Sequence, residues 1–327
     1  MTTLVTGAGG FLGGRIVDCL AARGEPVRGL DLSWPAPLPE GVEQVTGSIL
    51  DAEILEQGCA GAEHVINAAA IAHLWSPGIF DFDRVNVVGL CRVLAAARRA
   101  GARVVHVSSY TTLLAQDTAP DTVLDGTAEI VPNRLTGPYP RSKRQAELAL
   151  ASAVGAGQWA TTVLPTAPIG AGDVRLTPPA AMLRDLATGA LPALLDCRLN
   201  LVDAEAVAAA CLAARTEGVP GARYLVSGDD IEIGDLAEMV AARTGIAAPR
   251  RRVPYWMAKT AARIEAVISR LSKRPPRAPL TGVRLARLRP RFDASLARET
   301  LGFSPRPLEV CLEEALNDFR ARDLIPR

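Results

Sequence analysis

The sequence predicts an α/β protein with a doubly wound parallel sheet, followed by a smaller C-terminal α/β domain. Two observations carry this prediction. Short apolar strands, such as residues 27–30 and 103–107, alternate with amphipathic helices from the start of the chain. A glycine-rich turn also joins the first strand to the first helix. Strands covered by helices on both faces have this short, continuously apolar character, and such alternation is typical of parallel sheets.

The first element is the turn after the opening strand, where Gly7, Gly10 and Gly13 stand at three-residue spacing. Glycines here let the backbone bend tightly, approach a pyrophosphate without an intervening Cβ, and pack the helix on the sheet. The helix that follows has Leu12 and Ile16 in its apolar stripe, and its N-terminus presents free N–H groups to an anion. The turn therefore predicts a dinucleotide site, against the alternative of a purely structural βα turn.

A carboxylate in the second strand indicates which dinucleotide. Asp31 ends that strand within about 20 residues of the turn, the spacing of a carboxylate that binds the ribose hydroxyls. Leu32 and Ser33 follow it, so no arginine stands there to neutralise a 2′-phosphate. Because a carboxylate repels that phosphate, we expect NAD rather than NADP.

The later strands end in residues that we expect to face the ligand, because ligands in such sheets bind beyond the carboxyl ends of the strands. Ala68, Ala69 and Ala70 follow the fourth strand and leave room for a ribose or nicotinamide, although an ordinary tight loop has the same composition. Ser109 follows the fifth strand, and a long loop leads from it to the next helix. Long loops in compact domains are usually functional or mobile.

That helix carries Tyr139 and Lys143, four residues apart and therefore on one face. An ammonium beside a phenol stabilises the phenolate, so we expect Lys143 to lower the pKa of Tyr139 and make it a usable general acid or base. A solvated helix face has the same spacing. The catalytic interpretation is favoured because the pair follows a nucleotide turn and a serine-bearing strand end in chain order.

Taken together, these motifs resemble those of the extended short-chain dehydrogenases/reductases, of the NAD-dependent epimerase/dehydratase type. The matching stretches are TGAGGFLG at 6–13, Asp31, NVVG at 86–89, VSS at 107–109, YPRSK at 139–143, LPT at 164–166, IG at 169–170, NLVD at 200–203 and LGFSP at 301–305. Stretches 165–173 and 189–202 are similar to hopanoid-associated sugar epimerases and to dihydroflavonol-reductase-like and 3β-hydroxysteroid-dehydrogenase-like proteins.

The resemblance implies a Rossmann fold, NAD as cofactor, and a catalytic triad of Ser109, Tyr139 and Lys143. It implies an NAD-binding domain over residues 1–165, which contains the triad, and a mainly substrate-binding domain over residues 166–327 with segments that return to the large sheet. A homodimer through the helices that contain Asn86 and Tyr139 is also implied. The expected cofactor contacts are Gly7, Gly10, Phe11, Leu12, Gly13, Asp31, Ser48, Ile49, Ala68, Ala69, Ala70, Asn86, Tyr139, Lys143, Pro165 and Ile169.

The expected activity is hydride transfer between NAD and a carbon that bears a secondary hydroxyl. Nucleotide-sugar epimerases of this family usually have an asparagine after the sixth strand, where this chain has Pro165-Thr166-Ala167. Sugar dehydratases have an Asp-Glu pair just after the catalytic hydroxyl residue, where this chain has Tyr110-Thr111-Thr112. These departures favour a lipophilic sterol-, terpenoid- or polyketide-like substrate. The alternatives are a sugar or nucleotide-sugar epimerase with the same triad, and a non-catalytic NAD-binding scaffold.

A basic segment needs a separate explanation. Between positions 250 and 291 the chain has thirteen Lys or Arg and a single acidic residue, Glu265. Within it, Ile264, Val267, Ile268 and Leu271 recur at helical spacing. A cationic amphipathic helix of this kind can lie on an anionic membrane. Two alternatives stay open: the stripe packs on the sheet domain with the arginines in water, or the arginines bind phosphates of a charged substrate.

Composition limits the other function classes. The formal net charge is +1 over 327 residues, which indicates no general attraction to nucleic acid. No apolar run reaches the roughly 18 residues of a membrane span, and no secretory leader opens the chain, so we expect a cytoplasmic protein. The six cysteines show no CxxC and no metal-ligand spacing, so we expect no metal site. His73 is assigned no catalytic role.

Overall fold

The computed structural model describes residues 1–78 and 80–326, and it contains a large parallel sheet between two layers of helices. The strands are β1 (Thr2–Thr6), β2 (Val27–Asp31), β3 (Glu43–Thr46), β4 (Ala62–Asn67), β5 (Arg103–Val107), β6 (Val123–Leu124), β7 (Ala160–Pro165), β8 (Ala167–Ile169), β9 (Arg198–Asp203), β10 (Arg223–Val226), β11 (Asp229–Glu232) and β12 (Arg291–Phe292). The helices are α1 (Phe11–Ala22), α2 (Ala52–Cys59), α3 (Gly89–Ala100), α4 (Pro138–Gly155), α5 (Pro178–Ala187), α6 (Ala204–Ala214), α7 (Ile233–Thr244), α8 (Tyr255–Ser272), α9 (Leu280–Ala286), α10 (Ser295–Leu301) and α11 (Leu308–Ala321).

The large sheet has the strand order β10-β7-β5-β4-β1-β2-β3, and neighbouring strands are parallel throughout. The order reverses between β1 and β4, which is where doubly wound sheets bind nucleotides beyond the carboxyl ends of the strands. The predicted fold class, a doubly wound Rossmann-type sheet, is confirmed.

Apolar side chains cover both faces of this sheet. Ile16 and Leu20 of α1 belong to one cluster, together with Val207 of α6. Leu90 of α3 and Leu150 of α4 belong to a second cluster with residues of α2. Since both faces are buried, the carboxyl edge of the sheet is the part that remains for a ligand.

The second half of the chain builds its own layer. A smaller sheet, β11-β9-β8, and helices α5, α7 and α11 enclose a further apolar cluster that includes Leu183, Leu236 and Phe319. Strand β10, from the same half, returns to the large sheet beside β7. Strands β6 and β12 form a short parallel pair of their own. The assignment of residues 1–165 and 166–327 to two domains stays a prediction.

Two local features of the helices concern the site. A π-helical segment, Asp83–Val88, directly precedes α3. Such segments are frequent at functional sites, and this one contains Asn86. Helix α4 begins at Pro138, so that Tyr139 stands in its first turn. Among the described residues, no helix combines the length and apolar character needed to cross a membrane.

Candidate active site

The glycine turn lies at the carboxyl edge of the sheet, and its backbone leaves no space for side chains. Gly7 has a φ of +72°, in the left-handed region, and a Cβ there would lie 2.7 Å from the Ala69 backbone. A Cβ on Gly13 would lie 1.9 Å from the Gly7 carbonyl oxygen. Gly10, the N-cap of α1, has no side chain with which to cap the helix. The first turn of α1 therefore presents uncapped N–H groups, which fit the pyrophosphate of a dinucleotide.

Asp31, the expected ribose ligand, ends β2 beside this turn and is 8% exposed. Its Oδ2 accepts a hydrogen bond from the Gly9 N–H at 3.0 Å, and its Oδ1 accepts one from the Leu32 N–H at 2.7 Å. The carboxylate is thus fixed next to the turn. Ser48, a further expected contact, lies beyond the adjacent strand β3, where its Oγ accepts from the Leu50 N–H at 3.1 Å.

Arg175 belongs to this site, and the sequence did not indicate it. It stands between β8 and α5, 144 positions from Asp31, yet its NH2 group lies 3.4 Å from Asp31 Oδ1 and 3.0 Å from Ser33 Oγ. Arg15 of α1 holds the same segment through a 2.6 Å hydrogen bond to the Ala171 carbonyl. A guanidinium therefore lies beside the Asp31 carboxylate, which is expected to bind the ribose, although no arginine directly follows Asp31 in the sequence.

The loop after β4 is held against the glycine turn by buried polar groups. Thr6 Oγ1 donates to Asn67 Oδ1 at 2.6 Å and accepts from the Ala69 N–H at 3.3 Å. The Asn67 amide is 3.0 Å from His106 Nδ1. Burial holds the pKa of His106 well below its usual value, so that the ring is neutral. The small residues expected to contact the cofactor thus adjoin Gly7.

Asn86, another expected cofactor contact, braces the site through its side chain. Its Oδ1 accepts from the Ile71 N–H at 2.8 Å, and its Nδ2 donates to Ser142 Oγ at 2.9 Å and to the Ile71 carbonyl at 3.3 Å. Ser142 Oγ in turn donates to the Tyr139 carbonyl at 2.9 Å. Both amide hydrogens are therefore used within the protein, where they tie the loop after β4 to the first turns of α4.

The remaining expected cofactor contacts are apolar, and they differ in whether they lie next to the glycine turn or in the apolar clusters. Phe11 opens α1 directly after the glycine turn, whereas Leu12 packs against the core cluster that α1 shares with α6. Ile49 is buried with residues of α2 and α3, and Pro165 ends β7. Ile169 is buried in the apolar cluster of α5, α7 and α11. Of this group, Phe11 is nearest in sequence to the glycine turn, which it follows directly.

Ser109, Tyr139 and Lys143 meet at the carboxyl end of β5. Ser109 follows this strand, and its Oγ accepts from the Thr111 N–H at 3.3 Å. The Tyr139 side chain, from the first turn of α4, lies close enough to that of Ser109 for hydrogen bonding to act on the Tyr139 pKa. Lys143 lies one helical turn further and is 1% exposed, with its Nζ donating to the Val107 carbonyl at 2.6 Å. The structure thus brings together all three residues of the expected triad.

Burial controls the protonation of this triad. It raises the pKa of Tyr139 above 10.0, and the hydrogen bond with Ser109 opposes this rise. It also lowers the pKa of Lys143 from 10.5 to about 8, against the attraction of Glu147. The expectation that the pKa of Tyr139 lies below its usual value is wrong for this arrangement, because desolvation of the phenol dominates. At neutral pH the phenol therefore carries a proton that it can donate.

A buried charge cluster behind the triad was missed by the sequence analysis. Glu147 is 3% exposed and accepts hydrogen bonds from Ser108 Oγ, from Arg144 NH1 at 3.1 Å and from Arg223 NH2 at 2.8 Å. The carboxylate thereby joins α4 to the end of β5 and to β10. The four-residue step from Lys143 to Glu147 was the available signal, because residues so spaced share a helix face.

The segment after Ser109 braces this residue and brings no acid to the site. Thr111 Oγ1 donates to Ser109 Oγ at 3.0 Å, and Thr112 Oγ1 donates to the Ser109 carbonyl at 2.9 Å. Across residues 1–78 and 80–326, no group of three or more His, Cys, Asp or Glu side chains is placed to hold a metal ion. The arrangement suits proton exchange with a substrate oxygen beside a dinucleotide.

Comparisons with known proteins agree with this geometry. The family model described as "NAD dependent epimerase/dehydratase family" matches residues 3–234. A Synechocystis protein provisionally named as a dihydroflavonol 4-reductase is 30% identical over 97% of this chain and 94% of its own. Sterol demethylase protein B of Methylococcus capsulatus is 31% identical over 99% of this chain and 100% of its own. The Thermus thermophilus UDP-glucose 4-epimerase, solved with NAD, is similar in fold, with a TM-score of 0.77 at 21% identity over 98% of this chain and 99% of that one.

Proposed function

This chain belongs to the NAD-dependent epimerase/dehydratase family, with NAD as its cofactor, and we propose that it is a dehydrogenase or reductase of lipophilic secondary alcohols and ketones. One observation carries the proposal: a buried serine, tyrosine and lysine meet at the carboxyl end of β5, in the sheet whose β1 ends in a dinucleotide turn. That is the edge at which doubly wound sheets bind their ligands.

The residues of the chain divide the work as follows. The glycine turn would hold the pyrophosphate, Asp31 the adenosine ribose and Lys143 the nicotinamide ribose. Bound NAD supplies the hydride acceptor, and NADH the donor. Tyr139 gives its proton to the substrate oxygen during reduction and takes one from the hydroxyl during oxidation. Ser109 orients that oxygen by a hydrogen bond, and the Lys143 ammonium stabilises the phenolate that forms.

A lipophilic substrate is supported by what the site lacks and by one relative. No asparagine stands at 165–167 to contact the diphosphate of a nucleotide sugar. Tyr110, Thr111 and Thr112 follow Ser109 where a sugar dehydratase needs an acid and a base, and both threonines hydrogen-bond to Ser109. The relative from Methylococcus capsulatus is named for sterol chemistry. A non-catalytic scaffold is disfavoured because Tyr139 and Lys143 are both present and buried.

The alternative activity is sugar epimerisation, in which the same triad returns the hydride to the opposite face. A panel of sterol, terpenoid and polyketide alcohols with NAD⁺, and of UDP-sugars with NAD⁺, separates the two. We expect NADH absorbance to grow with a lipophilic alcohol. A UDP-sugar whose stereocentre inverts without net NADH would establish the epimerase instead.

Two tyrosine variants test the triad itself. Tyr139→Phe removes the proton donor and should lower kcat with the lipophilic substrate by about 100-fold or more. Tyr255→Phe is the matched control, because Tyr255 lies at the start of α8 beside Lys259 and Arg287 and is not part of the triad. Full activity in the Tyr139→Phe variant would refute the mechanism.

A further inference from the structure

Helix α8 turns its large apolar side chains to solvent. Trp256, Ile264, Val267, Ile268 and Leu271 are each 55–83% exposed. The expectation that this stripe packs on the sheet domain, one of the alternatives for the basic segment, is therefore wrong.

Small side chains make the contact instead. The buried residues of the helix are Ala262 and Ser269, and the neighbouring helix is α9. Because its inner face is made of small residues, the helix lies close to the body of the protein while its bulky apolar face remains without a partner in the described chain. An apolar face of this size is unusual on a surface that only meets water.

The exposed face has the geometry of an interfacial helix. At about 100° per residue, its apolar side chains fall within an arc of about 120°. Lys259, Arg263 and Arg270 follow one border of that arc, between the apolar face and the packed face. Exposed Lys273 and Arg274 continue the positive charge past the end of the helix. Apolar residues flanked by cations in this way match the boundary between acyl chains and anionic headgroups.

The cations on this border have no ion-pair partner among the described residues. Arg252, Arg289 and Arg291, elsewhere in the basic segment, pair with Asp196, Glu232 and Asp121 respectively. Arg263, Arg270, Lys273 and Arg274 form no ion pair in the described part of the chain, and Lys259 lies over the Tyr255 ring at 5.8 Å. The lone acid, Glu265, accepts from the Ala278 N–H at 3.2 Å. We propose that α8 docks on a membrane surface rich in anionic phospholipid.

Such docking brings the membrane close to the active site. Helix α9 follows α8 after a short connection, and a Cβ on Gly137 would lie 2.2 Å from Thr281 Oγ1 of α9. Gly137 is the N-cap of α4, two residues before Tyr139. A Cβ on Gly282 would lie 3.2 Å from Leu74, in the loop after β4. Through α9, helix α8 is thus linked to the start of α4 and to the loop after β4, which both adjoin the active site. The relevance of this link to substrate delivery rests on the proposed lipophilic substrate, whereas the docking itself does not.

Vesicle flotation of the full chain tests the docking without any substrate. We expect binding to phosphatidylcholine vesicles with 30% phosphatidylglycerol and little binding to pure phosphatidylcholine. The charge-dependent part should fall between 0.1 M and 1 M salt, where the Debye length shrinks from about 10 Å to about 3 Å. No binding to the anionic vesicles, or equal binding to both kinds, would overturn the proposal.

Matched variants assign the binding to this helix. Ile264→Ser with Leu271→Ser should weaken binding by about tenfold or more, whereas Val131→Ser with Val219→Ser, also exposed, should leave it unchanged. Because all four side chains are in water, the variants should fold, and their circular dichroism and NAD affinity report this independently. Unchanged vesicle binding in a folded Ile264/Leu271 variant overturns the proposal.

A second copy of the chain is the competing occupant. The proposal is overturned if the wild-type protein is a dimer that does not bind vesicles and if Ile264→Ser with Leu271→Ser dissociates this dimer. The apolar face would then belong to the dimer interface. Loss of vesicle binding leaves NADH formation with a detergent-dispersed alcohol untouched. Failure of this proposal and failure of the proposed function are therefore distinguishable.

Discussion

Burial of the Lys143 ammonium should make the free energy of unfolding depend on pH, and this dependence can be measured. Its side chain is 1% exposed and its Nζ donates to the Val107 carbonyl at 2.6 Å. Burial lowers the pKa of this ammonium from 10.5 to about 8, while the charge of Glu147 acts in the opposite direction. Replacing Lys143 by Met removes the titrating group and keeps a long unbranched side chain in the same space. The pH dependence of stability should change accordingly.

The direction and size of the change follow from proton linkage. Between about pH 8 and 10.5 the unfolded chain retains a proton that the folded chain has released, so the wild-type protein gains stability as the pH rises. Each pH unit in this window corresponds to about 1.4 kcal/mol. From pH 7 to pH 9.5, the free energy of unfolding of wild type relative to Lys143→Met should therefore rise by about 2 kcal/mol.

Urea unfolding at several pH values, in buffer without NAD, measures this difference. All other titrating groups are common to both proteins, and the range ends below the raised pKa of Tyr139, so their contributions cancel in the comparison. Lys273→Met, which removes an exposed lysine at the end of α8, is the matched control. A difference between wild type and Lys143→Met that stays constant with pH would refute the reasoning.

Two further predictions concern the cofactor site. Asp31→Ala should release Arg175 to bind a 2′-phosphate and so raise the ratio of kcat/KM for NADP⁺ to that for NAD⁺ by about tenfold. The double variant Asp31→Ala with Arg175→Ala should lose most of this gain. Equal ratios in the single and double variants would contradict the role of Arg175. Gly13→Ala should abolish NAD binding in a fluorescence titration, because its Cβ would lie 1.9 Å from the Gly7 carbonyl oxygen. Gly14→Ala, whose Cβ finds its nearest neighbour at 3.5 Å, should bind NAD normally, and the reverse pattern would exclude the steric argument.

The parts of the site that the sequence predicted are those set by local chain geometry. A glycine turn after β1 and a serine after β5 lie at one edge because parallel strands place their carboxyl ends together. Arg175 was out of reach for the same reason: its contact with Asp31 depends on how the segment after β8 folds back over β2. No spacing along the chain encodes that distance.

Helix α8 shows a second limit. Hydrophobic periodicity correctly placed Ile264, Val267, Ile268 and Leu271 on one face, since 3.6 residues per turn determine which side chains align. Periodicity does not say which face is inside. In this helix Ala262 and Ser269 face the protein, and only the tertiary structure reveals it.

Helix α4 reverses the usual relation between polarity and exposure. Tyr139, Lys143 and Glu147 are four residues apart in succession, and all three are buried, whereas polar rows at this spacing normally face water. Burial is possible because each finds a partner at the end of β5 or on β10: Ser109, the Val107 carbonyl, and Ser108 with Arg223. Apolar side chains at the three positions would need none of these partners. Since desolvated titratable groups cluster at functional sites, the buried polar row itself indicates that this helix face is held for proton transfer as well as for packing.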